Sequence, residues 1–327
     1  FMAQPGSSSS GRRIVKQLVP SATPSCEKRL SLGGFHFSYK FYTSDSFRSA
    51  PVFFISGAFQ SMKSWKGVSE YFFSRGMPVI LADLPGTGCA DALPAHYGLD
   101  FLAEAIKLVI DDIGVDRVSI VSASYGTPIA YTFAARNPDR VVKLILAGTM
   151  KEVPAHMRQR VADTLIPLRQ GRMDQFAHEV AEGLVVMDPE VPVQRRDLAD
   201  RQLCSQLTSI NEDDKNKYIL NTLRILSHNS LDLDIPPQCP TLVYTGEHDA
   251  FTTPKCCLEI ANSIAFSLFT TIKDADHMFH IQRPSVVNKI SHEFLESGRI
   301  STLDDVGPVL ASGFMNSSFS QDRRCAA

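Results

Sequence analysis

Short, unbroken apolar runs alternate with segments of helical spacing along most of this chain, and that alternation leaves few folds open to it. Gly34–Thr43 and Pro51–Ser56 read as strands, and Met77–Ala82 is an apolar run bounded by turn residues. Leu99–Ile113 has apolar side chains at helical spacing. Val118–Val121 is a short strand, Tyr125–Arg136 a helix and Val141–Ala147 another strand. The rhythm resumes with a strand over Pro240–Tyr244, a helix over Pro254–Ser263, a strand over Ser267–Ile272 and a helix over Ser285–Leu295. Strands without a polar face, separated by helices, require a mostly parallel sheet with helices on both faces. The expected class is therefore α/β.

Residues 151–236 break the rhythm. Four charged, helix-like stretches follow one another: Ala155–Arg169, Met173–Val186, Arg195–Ile210 and Asp213–His228. Lying between two sheet strands, they predict a helical insertion over the carboxyl ends of the strands, where open parallel sheets bind ligands. A cap or lid over a site is the functional expectation, and an independent helical domain is the competing one. The expected organisation is a core of 31–150 and 237–298 and a helical cap of 151–236. Residues 1–30, rich in Ser, Gly and Pro, are expected to form a mobile extension, and 299–327 a flexible tail.

Composition excludes several functions. Of 327 residues, 44% are hydrophobic, enough for a large core. A net charge of -2 builds no field for nucleic acid or an anionic membrane. No apolar run is long enough to span a bilayer, and the first 30 residues lack the apolar stretch of a secretory signal. Seven scattered cysteines, an odd number with no CxxC, suggest neither a disulfide framework nor a zinc site. Free thiols and a cytoplasmic location are expected, with no metal and no cofactor.

The sharpest local signal is Val118-Ser119-Ile120-Val121-Ser122-Ala123-Ser124-Tyr125-Gly126-Thr127. A strand ends, a Ser sits between small residues and a helix begins, the small-x-Ser-x-small form of a nucleophile elbow. The turn is too tight for side chains two positions either side of the nucleophile, and Ser122 and Gly126 fill those places. Ser124 is then the nucleophile candidate, and the Tyr125 N–H, at a helix N-terminus, faces developing negative charge. The plainer alternative is a Ser that only caps a helix.

Acyl transfer through Ser also needs a base, an orienting carboxylate and a second oxyanion donor. Phe53–Phe59 runs as a strand into Gly57, which lets the backbone approach closely and present the Ala58 N–H. Leu242–Asp249 is a strand, a Gly turn and a carboxylate, so Asp249 is the candidate acid and Glu247 its competitor. Asp274–His280 follows the last strand, so His277 is the candidate base. Phe59 and His280 are candidate substrate contacts. Asp83-Leu84-Pro85-Gly86-Thr87-Gly88 lacks the spacing of a dinucleotide loop and reads as a structural turn. Cys256-Cys257, at a predicted helix start, is a weak alternative nucleophile with no supporting partner.

Taken in order, Ser56-Gly57-Ala58, the Asp83–Gly88 turn, Ser122–Gly126, Gly246-Glu247-His248-Asp249 and Asp276-His277 resemble the landmarks of the α/β-hydrolase superfamily over residues 31–298. The order Ser, Asp, His along the chain is that fold's order. One departure is Ser56, where such chains usually carry His. Gly57–Trp65, Ser122–Gly126 and Asp249–Thr253 look like a narrower group, the 3-hydroxyacyl acyltransferases. That group comprises synthases of hydroxyalkanoyloxy-alkanoate lipid precursors and acyl-carrier-protein to coenzyme A transacylases.

The resemblance implies an enzyme working on an ester or thioester through an acyl-serine. It is either a hydrolase (esterase or thioesterase) or an acyltransferase, with the acyl group free or carried on acyl carrier protein or coenzyme A. Ser rather than Asp at 124 argues against dehalogenase and epoxide-hydrolase chemistry. Leu165–Leu168 and Leu184–Met187 either line an acyl channel or form the buried faces of the cap helices. A non-catalytic ligand-binding or interaction protein on the same fold is the other class, which a missing catalytic residue would betray.

Overall fold

The computed structural model describes residues 25–312 apart from 229, 302 and 303. Nine strands form one sheet: β1 (Cys26–Leu32), β2 (Phe35–Tyr42), β3 (Val52–Ile55), β4 (Val79–Asp83), β5 (Val118–Ala123), β6 (Val141–Ala147), β7 (Thr241–Gly246), β8 (Ser267–Ile272) and β9 (Leu310–Ala311). Their spatial order is β1-β2-β4-β3-β5-β6-β7-β8-β9. β3 to β8 run parallel, while β1, β2 and β9 pair antiparallel at the two edges.

The central strands are buried on both faces because most of their side chains are apolar, and alternation sends these to two cores. Phe53, Ile55, Ile80, Ile120 and Leu144 pack on one face with α2 (Leu99–Ile113), α3 (Gly126–Arg136) and α9 (Pro254–Ser263). Val52, Phe54, Leu81, Val121 and Ile145 pack on the other with α1 (Lys66–Phe73), α10 (Phe279–Gln282) and α11 (Pro284–Ser297). Between β6 and β7 lie only helices among the described residues: α4 (Ala155–Asp163), α5 (Leu165–Arg169), α6 (Met173–Leu184), α7 (Arg196–Thr208) and α8 (Glu212–His228). They enclose a third apolar cluster around Leu168, Phe176 and Leu203.

Both expected chain-end boundaries need correction. The extension assigned to 1–30 gives way at residue 26 to β1, which pairs along its whole length with β2. Its exposed Glu27, Lys28 and Arg29 make it polar because it is an edge strand with little to bury. The tail assigned to 299–327 is likewise tied down in part. Val306 bridges Ile272, and β9 pairs with β8. Residues 1–24 and 313–327 lie outside the described residues.

Candidate active site

Ser124 sits between the end of β5 and the start of α3 with φ at +45°, a left-handed backbone that Ser rarely adopts. Such a conformation costs on the order of 1–3 kcal/mol and persists only when its surroundings enforce it. Here the Ser124 N–H donates to the Ala147 carbonyl at 2.9 Å. The Ser124 carbonyl accepts from the Thr127 N–H at 2.9 Å and the Thr127 hydroxyl at 2.7 Å. Gly126 is obligatory, since a Cβ there would stand 2.7 Å from the carbonyl oxygens of both Ile55 and Ser56. At Ser122 a side chain is tolerated because its hydroxyl donates to the Ile145 carbonyl at 2.8 Å, inside the sheet.

The loops after β7 and β8 bring Asp249 and His277 to the same strand ends. The His277 Nδ1–H donates to Asp249 Oδ2 at 2.8 Å, and the Ser124 hydroxyl lies 3.1 Å from His277 Nε2. Three side chains distant in sequence thus form one hydrogen-bonded chain. Asp249 is further held by the Thr245 hydroxyl at 2.5 Å, the Thr252 hydroxyl at 2.6 Å and the N–H groups of Phe251 and Thr252, both at 2.8 Å. Burial alone pushes the Asp249 carboxyl up, but the His277 charge and these donors hold it below its ordinary value. Burial likewise pushes His277 down, and the charge and hydrogen bond of Asp249 outweigh it, so His277 ends above 6.5. This arrangement can draw the hydroxyl proton onto the imidazole while the carboxylate steadies the ring.

Among the described residues, neither the Ala58 nor the Tyr125 N–H has a hydrogen-bond acceptor. Both residues line the same cavity as Ser124 and His277, about 440 Å³ in volume. Ser56, the departure from the resembled pattern, accepts the Trp65 indole N–H at 3.0 Å. Phe59 lines the cavity too, with φ at +61° and its ring stacked on Tyr218 of α8 at 4.2 Å between centroids. His280 lines the cavity and keeps an exposed surface. Its surroundings in the cavity wall, then the nearby His277, push its pKa below the ordinary value.

The cavity's other walls come from the insertion: Val153 just before α4, Met157 on α4, Val180 and Leu184 on α6, Leu203 on α7 and Ile225 on α8. Of the two stretches considered for an acyl channel, Leu184 contributes to the wall. Leu165 and Leu168 are instead buried in the insertion's own cluster. Glu247 is exposed and lies near His248, at 3.7 Å, rather than His277. Asp83 accepts the N–H groups of Met62 at 2.7 Å and Cys89 at 3.0 Å, and a Cβ at Gly88 would collide with its carboxylate, so this turn is structural. Cys257 is buried, and burial pushes its thiol well above 9.0. The six described cysteines are free, and no group of His, Cys, Asp or Glu suited to a metal ion occurs among the described residues.

Sequence reasoning missed the Thr245 and Thr252 hydroxyls and the full role of Asp276. The Asp276 carboxylate accepts from the N–H groups of Met278 at 2.8 Å and Val186 at 2.9 Å and from Gln282 Nε2 at 2.8 Å, fixing the histidine loop against the insertion. Neighbouring threonines before and after Asp249 were the available signal, but only the folded turn reveals which carboxylate they serve.

Comparison with known proteins bears on the fold and the family. The (E)-2-((N-methylformamido)methylene)succinate hydrolase of Acinetobacter baylyi is 26% identical over 259 residues, 76% of this chain and 90% of that protein. Protein ABHD8 of Bos taurus is 24% identical over 309 residues, and the match spans 65% of that longer protein. A 2-hydroxy-6-oxononadienedioate/2-hydroxy-6-oxononatrienedioate hydrolase of Klebsiella pneumoniae is 24% identical, over 75% of this chain and 86% of its own. Among solved structures, the enol-lactonase from Burkholderia xenovorans superposes with a TM-score of 0.70 at 19% identity, covering 83% of this chain and all of that one, a likeness of fold. The expectation of an enzyme on a hydrolase fold holds, since the Acinetobacter and Klebsiella relatives are named hydrolases. Residues 50–284 match the family described as alpha/beta hydrolase fold, and with more than half of its length inside that match the chain belongs to this family.

Proposed function

We propose that the chain is a serine-dependent acyl-transfer enzyme acting on esters or thioesters, with water as the first acceptor. The observation that carries this reading is the hydrogen-bonded chain from the Ser124 hydroxyl through His277 to Asp249, built around a nucleophile turn with left-handed Ser124. Ser124 Oγ attacks the carbonyl carbon as His277 Nε2 takes its proton. The oxygen of the tetrahedral intermediate accepts from the Tyr125 and Ala58 N–H groups, a donor of this kind being worth roughly 3–4 kcal/mol. The intermediate collapses, the leaving group takes the proton from His277, and an acyl-serine remains. Water, deprotonated by the same imidazole, attacks it and restores the enzyme.

Residues 151–236 act as a cap whose inner faces hold the acyl portion. Phe59, His280 and the apolar side chains of the cavity serve as substrate contacts. The hydrolase names of the relatives favour water as acceptor. A second reading, transfer of a 3-hydroxyacyl group to a hydroxyl or thiol, is favoured by the Gly57–Trp65, Ser122–Gly126 and Asp249–Thr253 segments. In that case the donor is carried on acyl carrier protein or coenzyme A. No helix among the described residues is long and apolar enough to cross a membrane, and the free thiols suit a cytoplasmic setting.

Two measurements decide. A fluorophosphonate probe is expected to label Ser124 in the folded protein, and absence of labelling refutes the covalent mechanism. Incubating a 3-hydroxyacyl thioester with and without an alcohol or thiol then separates the two acceptors. Free acid alone in both reactions assigns hydrolysis, and a new ester or thioester assigns transfer.

A further inference from the structure

Arg224 of α8 has no exposed surface, and among the described residues no carboxylate pairs with it. Burying a guanidinium without a counter-ion is costly unless every donor is met. Each of its three nitrogens is met here. Nε donates to the Tyr97 carbonyl at 2.7 Å, and Nη2 donates to the carbonyls of Leu93 at 2.6 Å and Pro94 at 3.0 Å. Nη1 donates to the Tyr125 hydroxyl oxygen at 2.9 Å and to Asn221 Oδ1 at 2.5 Å. The Tyr125 hydroxyl in turn donates to Asn221 Oδ1 at 3.1 Å, and Asn221 Nδ2 donates to the Gly86 carbonyl at 2.8 Å. Lys217, one turn before Asn221 on the same face and also buried, donates to the Gly88 carbonyl at 2.7 Å. A polar stripe at 217, 221 and 224 therefore faces inward and clasps both the 86–97 loop and the residue next to Ser124.

Gluing a helix to a loop needs hydrogen bonds but no charge. What the arrangement adds is a fixed cation and a rigid clamp on the phenol of Tyr125, a cavity-lining residue whose N–H has no acceptor among the described residues. We propose that Arg224 is a positioning residue for the reaction at Ser124: through the Tyr125 hydroxyl and Asn221 it holds the Tyr125 N–H on target and couples the helical insertion to the nucleophile turn. This rests on the reading of Ser124 as nucleophile.

The test compares Tyr125→Phe, Arg224→Gln, Arg224→Lys and the double variant Tyr125→Phe/Arg224→Gln. For each, the rate of fluorophosphonate labelling is measured together with kcat and KM on a short p-nitrophenyl ester and the melting temperature. Tyr125→Phe removes one oxygen and leaves the ring packing intact. It is expected to slow labelling and kcat by about tenfold, less than outright loss of an oxyanion donor, with KM within about twofold of wild type. Arg224→Gln is expected to do at least as much, Arg224→Lys to recover part of the loss, and the double variant to be no slower than Arg224→Gln, because the two side chains act as one unit. Wild-type rates in Tyr125→Phe overturn the proposal, as do losses that multiply in the double variant or an Arg224→Gln effect confined to melting temperature. Should Arg224→Gln fail to fold, the Tyr125→Phe rates decide alone. A wild-type protein never labelled at Ser124 overturns the nucleophile reading itself, a distinct outcome.

Discussion

The strand-end loops and the helical insertion both line one cavity, but they are built on opposite principles. At the strand ends, position is enforced by backbone. Ser124 is held by three hydrogen bonds in a left-handed conformation, Gly126 has no space for a methyl group, and Asp249 receives four donors besides His277. In the insertion the cavity wall is made of side chains on helices, and α4 buries none of its own. Among the described residues of the insertion, α8 is the helix pinned into the core by buried polar groups. A change at the strand ends should therefore abolish the chemistry, whereas a change in the outer insertion should retune what is bound.

Four measurements sharpen or break that contrast. Ser124→Ala is expected to remove probe labelling and lower kcat by about 10⁶-fold with the fold intact, as for other serine triads. Asp249→Asn should cost about 10⁴-fold in kcat by presenting the wrong histidine tautomer, with little change in KM. The pH profile comes next. His277 must be neutral to accept the proton, and its pKa is raised above 6.5. kcat/KM should rise with pH and reach half its plateau above pH 6.5, falling about tenfold per pH unit below that point. A half-point below 6.5 would mean that Asp249 does not sustain the imidazolium. The smallest effect is expected at Arg160, on α4 at the cavity's edge, 3.9 Å from Glu182 of α6 and well exposed. Arg160→Ala should change KM by about threefold or less and leave kcat alone, as for an exposed ion pair. A loss in kcat comparable to that of Asp249→Asn would collapse the distinction between the two regions.

The same contrast decides what the sequence discloses. Val141–Ala147, Pro254–Ser263 and Ser267–Ile272 are read to the residue because apolar runs bounded by turn residues carry their own limits. Ser124, His277 and Asp249 are legible because the elbow needs small neighbours and because each candidate follows a strand. β1 escapes because an edge strand with exposed Glu27, Lys28 and Arg29 has no apolar signature. The inward stripe of α8 escapes for the opposite reason. Lys217, Asn221 and Arg224 look like a solvated helix face, and nothing local says that this face meets carbonyl oxygens instead of water. Thr245 and Thr252 are silent until the turn around Asp249 exists.

One edge of the sheet has a practical meaning. The segment after α11 returns to lie along β8, where the Ser312 N–H donates to Ser267 at 3.0 Å, the Gly307 N–H to Thr271 at 2.8 Å and the Lys273 N–H to Asp305 at 3.0 Å. Strand edges left bare invite another chain to add itself. A version trimmed after Gly298, where the last long helix stops, would keep Ser124, Asp249 and His277 and still strip this selvedge from the sheet, leaving a molecule prone to stick to its neighbours.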